Sequence, residues 1–207
     1  MTLGSPPVGS GEMCLHLVAR SPPPSSSFVV ARSPSPPSSV DGTRAYDTDA
    51  PRRPVNPRWL ERCVDLAEAA GAIGDFAGEF AGLVNYYRSG DQLAGHVDDA
   101  EVDMSKPIVS VSLGCPCVFL LGGTSRDVAP TAVLMRSGDA VALTGPSRRC
   151  YHGVPRIFVA GEGCVDGRGV RLGCPEWLGN PDAWPEEADV ARYIAGGRVN
   201  VSVRVVD

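Results

Sequence analysis

The chain has 207 residues, 43% of them hydrophobic, and a formal net charge of -5. That suits one domain of ordinary size with a globular core, and the acidic balance excludes an overall basic field that would draw in nucleic acid. No apolar run reaches the length of a membrane-spanning helix, and seven cysteines, odd in number and irregularly spaced, fit a reducing compartment rather than a disulfide framework.

Residues 1–50 are rich in Ser, Pro and Gly, and Val18-Ala19-Arg20-Ser21-Pro22 recurs as Val30-Ala31-Arg32-Ser33-Pro34. Such a composition buries too little apolar surface to offset its ordering entropy, which predicts a disordered leader. Arg20, Arg32 and Arg44 among many serines also fit an organelle transit peptide, mitochondrial or plastid. A secretory signal does not fit, because Leu15 to Ala19 is too short and too mixed for its apolar core. The expected location is intracellular, either nucleus and cytoplasm or an organelle. The folded domain is placed at residues 51–207.

A helix is predicted first. Asn56 can cap it, Pro57 suits its first position and Gly71 suits its stop. Between them Trp59, Leu60, Cys63, Val64, Ala67 and Ala70 recur at helical spacing, with Glu61, Arg62, Asp65 and Glu68 on the outer face. From Phe80 the period changes to that of strands. The predicted strands are Phe80–Arg88, a short one near His96, Ile108–Leu113, Val118–Leu121, Ala132–Arg136, Ala140–Leu143, Tyr151–Phe158 and Arg198–Val205. Ser137-Gly138-Asp139 signals a tight turn and Gly122-Gly123 ends a strand. Cys115 and Cys117 interrupt an apolar stretch and are expected in the core. Ala160–Pro181, glycine-rich and without a period, reads as an inserted loop, and Ala183–Ala195 as a short helix. Many short strands separated by turns predict a mainly β sandwich or barrel.

Two constellations carry chemistry. In an extended chain the side chains of His96 and Asp98, two residues apart, point to the same side and converge as two ligands of one metal would. The third ligand is expected from His152, in Cys150-Tyr151-His152-Gly153. The chain has three histidines, and His16 lies in the leader, so this set uses both of the others. Two His and one carboxylate with open positions is the signature of non-haem Fe(II) oxygenases. The last strand alternates Val199, Val201, Val203 and Val205 with Arg198, Asn200, Ser202 and Arg204. A half-exposed strand with a solvated polar face accounts for that pattern. If the polar face instead lines a barrel interior, two buried guanidiniums need anionic partners, and a carboxylate fits the arginine fork. A dicarboxylate that chelates iron at one end and meets arginine at the other would satisfy both constellations, as 2-oxoglutarate does.

The chain resembles the AlkB family of Fe(II)/2-oxoglutarate dioxygenases, and most of all the branch named after the first AlkB homologue of animals. Asn85-Tyr86-Tyr87-Arg88, His96-Val97-Asp98, Ser105-Lys106-Pro107 and Phe119-Leu120-Leu121-Gly122-Gly123 carry the resemblance. So do Arg126-Asp127, Ala129-Pro130-Thr131-Ala132, Ser137-Gly138-Asp139, Ser147-Arg148, His152-Gly153-Val154-Pro155-Arg156 and Arg198-Val199-Asn200. The fold it implies is a double-stranded β-helix, or jelly roll, on which the helix predicted from spacing would pack. It also implies His96, Asp98 and His152 as ligands of Fe(II), with Arg198 meeting the distal carboxylate of 2-oxoglutarate. Asn85, Tyr87, Asn200 and Arg204 match other positions of the cosubstrate pocket.

The implied activity is oxidative N-demethylation of methylated bases, releasing formaldehyde, succinate and carbon dioxide. The implied partner is nucleic acid, as single-stranded DNA or RNA including tRNA, met by a monomer with no membrane attachment. A protein hydroxylase or demethylase on the same chemistry, or a truncated inactive homologue, are the competing readings. Two departures bear on the substrate. Family members place a base-gripping lid before the Asn-x-Tyr stretch, where this chain offers few aromatics, namely Trp59, Tyr46 and Phe76. Ala100 stands where many relatives carry an acidic residue that contacts the base. The acidic balance favours a peptide substrate, whereas Arg148, Arg149 and Arg156, flanking His152, could meet phosphates.

Overall fold

The computed structural model describes residues 16–18, 57–69, 71, 80–99, 101, 103–159 and 161–205. Tyr46, Asn56, Ala70, Phe76 and Ala100 lie outside these, as does most of the expected leader. Within that leader the short apolar run forms a strand, β1 (His16–Val18). It is followed by α1 (Pro57–Ala69), β2 (Phe80–Tyr87), β3 (Leu93–His96), β4 (Ile108–Gly114), β5 (Cys117–Leu121) and β6 (Thr131–Met135). Then come β7 (Ala140–Leu143), a 3-10 turn at Gly145–Arg149, β8 (His152–Ile157), α2 (Glu176–Gly179), α3 (Ala188–Ala195) and β9 (Arg198–Val205).

The strands form two antiparallel sheets, a large one in the order β1-β7-β4-β9-β2 and a small one in the order β3-β8-β5-β6. Facing each other, they make the expected mainly β jelly roll. Met135, Leu121, Cys117, Cys115, Val141, Leu143, Val154 and Ile157 fill the space between them. Leu121 is fully buried there. Leu121→Ala would leave a cavity, and the expected loss of stability is about 2–5 kcal/mol, read as a lower denaturant midpoint at unchanged slope.

The outer face of the large sheet is covered as well. Cys63 of α1 is buried against Val109, Val111, Ala140, Ala142 and Val203, with Trp59, Leu60 and Val64 packed alongside. Glu61, Arg62, Asp65 and Glu68 stay exposed, as the amphipathic spacing requires. Gly71 adopts φ +76 and its N–H reaches the Glu68 carbonyl at 2.9 Å, ending the helix in the left-handed region where glycine has no Cβ to clash. Farther along the sheet, Leu178 of α2 and Ile194 of α3 cover Val199. Here the backbones approach closely. A Cβ on Gly114 would sit 2.6 Å from the Gly197 carbonyl oxygen, so only glycine fits between β4 and the end of α3.

The Ser137-Gly138-Asp139 turn forms as expected. Gly138 has φ +89, and the Asp139 carboxylate accepts the Arg136 N–H at 2.7 Å. Two expectations differ in detail. The stretch read as an inserted loop holds α2 and an isolated bridge between Val165 and Arg171. Asp166 organises that bridge by accepting the N–H groups of Arg168 and Val170 at 2.8 and 2.9 Å. The helix expected from Ala183 starts at Ala188 instead, after a 3-10 turn at Pro181–Ala183. Pro185 lacks an N–H, and Asn180 caps the shorter turn by accepting from the Asp182 N–H at 3.0 Å. Among the described residues, no helix is long and apolar enough to cross a membrane.

Candidate metal centre

His96 ends β3 and His152 opens β8, and the two are direct partners across the ladder. Asp98 follows two residues after His96, in the loop between β3 and β4. The ligand atoms of His96, Asp98 and His152 all lie within 4.8 Å of one another. His96 Nε2 is 3.6 Å from one Asp98 oxygen and His152 Nε2 is 3.7 Å from the other. Among the described residues this is the grouping of His, Cys, Asp and Glu that can hold a metal, and Cys164 and Cys174 join no such group.

The protonation states suit metal binding. His96 Nδ1 donates to the Ala94 carbonyl at 3.0 Å and His152 Nδ1 donates to the Cys150 carbonyl at 3.3 Å. Since a carbonyl only accepts, the proton of each neutral ring sits on Nδ1, and both Nε2 lone pairs face Asp98. Burial pushes the His152 imidazole down from its ordinary value, against the opposing pull of Asp98. A neutral ring is the form that ligates. Burial by itself would raise the Asp98 carboxyl. A hydrogen bond from His96 when that ring is protonated, the charge of Arg204, and the charges of His152 and His96 in their protonated forms outweigh it and hold the group well below the usual carboxylate range.

β9 settles its own ambiguity. Arg198, Asn200, Ser202 and Arg204 are all buried, as are Val199 and Val203 on the opposite face. The polar face therefore lines the barrel rather than meeting solvent. Asn85 and Tyr87 on β2 stand directly opposite Asn200 and Arg198, so these four share that interior. Asn200 Nδ2 donates to Ser110 Oγ at 2.7 Å and to the Val111 carbonyl at 3.1 Å, tying β9 to β4. The Arg198 guanidinium lies 5.0 Å over the Tyr87 ring and donates one Nη2 hydrogen bond to Ser112 Oγ at 3.0 Å. Its Nε and Nη1 are buried without a hydrogen-bond partner. Unmet charged donors in a protein interior are costly, and a carboxylate is an anion able to accept from them.

Arg204 is placed differently. It lies 3.8 Å from Asp98 and pairs at 2.5 Å with the carboxylate of Glu101. Glu101 also meets Arg148 at 3.1 Å, with both of those side chains sealed from solvent. Arg148 therefore cannot meet phosphates, contrary to the expectation from sequence. Arg149 and Arg156 are exposed, and Arg156 faces Glu162 at 3.5 Å. Glu101 is the residue that sequence reasoning missed. Its one signal was an acid within a short loop already carrying a ligand, and such loops are usually solvated. Trp59 is likewise removed from the substrate side, because α1 seats it on the outer face of the large sheet.

A jelly roll that brings two imidazoles and a carboxylate together at one end, with an unsatisfied arginine in its interior, defines a non-haem iron oxygenase of the dicarboxylate-using class. The family model described as the 2OG-Fe(II) oxygenase superfamily matches residues 17–204, and the chain belongs to that superfamily, whose cofactor and cosubstrate are Fe(II) and 2-oxoglutarate. The chain is 38% identical over 171 residues to the DNA N(6)-methyladenine demethylase ALKBH1A of Arabidopsis thaliana, covering 79% of this chain and 45% of that protein. It is 40% identical over 143 residues to the nucleic acid dioxygenase ALKBH1 of Homo sapiens, covering 67% and 36%. With the tRNA demethylase abh1 of Schizosaccharomyces pombe it shares 44% over 78 residues, covering 38% and 26%. These likenesses bear out the resemblance to the AlkB branch. The chain spans less than half the length of each of these relatives.

Proposed function

We propose that this chain is the catalytic barrel of an oxidative N-demethylase that acts on methylated bases in nucleic acid. His96, Asp98 and His152 hold Fe(II), and Arg198 receives the distal carboxylate of 2-oxoglutarate. Asn85, Tyr87, Asn200 and Arg204 line the cosubstrate pocket. One observation carries this reading: the triad stands in the same interior as a buried guanidinium with two unmet donors. Tyr87 packs beneath that guanidinium and keeps its fork in place. Bound together, iron, 2-oxoglutarate and dioxygen supply the oxidising equivalents that turn an N-methyl group into formaldehyde. The residues orient both partners, and the buried walls around His152 and Arg198 keep bulk water out.

The substrate is a base presented without a stable duplex. Before β2, the described elements pack elsewhere: β1 on β7, and α1 on the outer face of the large sheet. α1 therefore does not grip an extruded base, and extrusion costs a few kcal/mol that other contacts would have to offset. The expected result is therefore turnover of 2-oxoglutarate that exceeds base demethylation, with single strands or RNA loops preferred over duplex. The test incubates the chain with iron, ascorbate, 2-oxoglutarate and methylated oligonucleotides, single-stranded or duplex, and compares succinate with formaldehyde. About one formaldehyde per succinate on duplex would show that a competent grip exists and overturn the single-strand preference. No formaldehyde on any nucleic acid would overturn the demethylase reading.

A further inference from the structure

Asp98 differs from its two partners in what holds it. His96 and His152 sit on paired strands, whereas Asp98 lies in the connection from β3 to β4, which carries no helix or strand among its described residues. A ligand on an irregular loop needs other contacts to fix it, because positional freedom weakens both affinity and geometry. One side chain reaches that loop at several points. Arg148 projects from the 3-10 turn that leads into β8, and it is 1% exposed. Its Nη1 donates to the main-chain carbonyl of Asp98 itself at 3.0 Å, and its Nε donates to the Lys106 carbonyl at 2.6 Å. Its Nη2 reaches the Glu101 carboxylate at 3.1 Å and Met104 Sδ at 3.6 Å. One guanidinium thus pins the loop at its start, its middle and its end.

We infer that Arg148 is a positioning residue for the metal centre, acting through the Asp98 main chain, with Glu101 as the buried anion that keeps it there. This rests on the reading of His96, Asp98 and His152 as metal ligands. Glu101 does a second thing. Its other oxygen holds Arg204, which also faces the Asp98 carboxylate. The loop is therefore fixed at its backbone by Arg148 and at its ligand side chain by Arg204, and Glu101 joins the two. Lysine cannot replace Arg148 here. A single ammonium lacks the flat fork that spans acceptors on three parts of one loop.

The test uses the full chain stripped of metal, with Co(II) as the probe under anaerobic conditions. Titration is followed by the visible ligand-field absorbance, and folding by circular dichroism and thermal melting in chelator. Arg148→Lys should remain folded yet bind Co(II) about 10–100-fold more weakly, the range seen when an outer partner of a metal ligand is lost, with an altered ligand-field band. Glu101→Gln, nearly the same shape, should shift affinity in the same direction and carries the test if Arg148→Lys does not fold. A residue that merely supports the fold would lower the melting temperature and leave the affinity and the band of the folded fraction unchanged. Either variant, folded and binding Co(II) like the unmodified protein, overturns the inference. An Asp98→Ala protein that binds Co(II) like the unmodified one would instead sink the metal centre itself.

Discussion

Asp98→Ala is expected to lose nearly all bound Fe(II) and all turnover. His96→Ala and His152→Ala are expected to do the same. With three protein ligands, removal of one leaves two points of attachment and no fixed geometry. The expected fall in metal affinity therefore exceeds the about 10–100-fold that follows loss of an outer partner. Asp98 carries the most, because each of its oxygens faces one of the two imidazoles and it is the anion of the set. Arg204 keeps Glu101 as a partner in the variant, so the fold should survive and the loss should be one of metal. The measurement is iron content of the purified variant, with succinate formation under controlled added Fe(II). Full activity in Asp98→Ala with residual metal controlled would falsify the ligand assignment.

Arg198→Ala is expected to raise the 2-oxoglutarate concentration for half-maximal rate by orders of magnitude. The variant removes a guanidinium whose Nε and Nη1 await a partner inside the barrel. Truncating one member of a buried, hydrogen-bonded charge pair costs about 2–5 kcal/mol, a factor of roughly 30 to several thousand. Val199→Ala makes the comparison informative. Val199 neighbours Arg198 in sequence but points to the opposite face, against α2 and α3. Its loss should lower stability and leave the half-saturating concentration nearly unchanged. Equal behaviour of the two variants would mean that the faces of β9 are assigned wrongly.

Much of this architecture was legible from the chain. The alternation of Val and polar residues over Arg198–Val205 fixed a strand, and the i, i+2 spacing of His96 and Asp98 suggested two converging ligands. What alternation cannot say is whether a polar face meets water or a barrel lumen, since the same pattern serves both. Burial of Arg198 and Arg204 required the second sheet to be in place. Arg148 and Glu101 were harder still. They lie 47 positions apart, and no local rule tells a charged residue in a loop that it will be sealed against a distant partner. The apolar residues around His16 were passed over for a related reason. Three residues are too few to show a period, and only pairing with β7 makes them a strand.

The direct pairing of His96 with His152 decides how freely this protein can change. The separation of the two imidazoles is a property of one rung shared by two adjacent strands, not of the chain that joins them. Residues added beside Ala129, in the exposed end of the β5–β6 connection, would lengthen that chain and leave the contacts of Gly122, Gly123 and Arg126 to the two ligand strands in place. A single residue deleted inside β8, upstream of the bulk of its ladder, would turn every later side chain to the other face or drag His152 out of register. Tolerance to insertion and intolerance to a one-residue slip thus sit side by side in the same sheet. Grafting work on this barrel should vary its connections and keep the β3–β8 rung untouched.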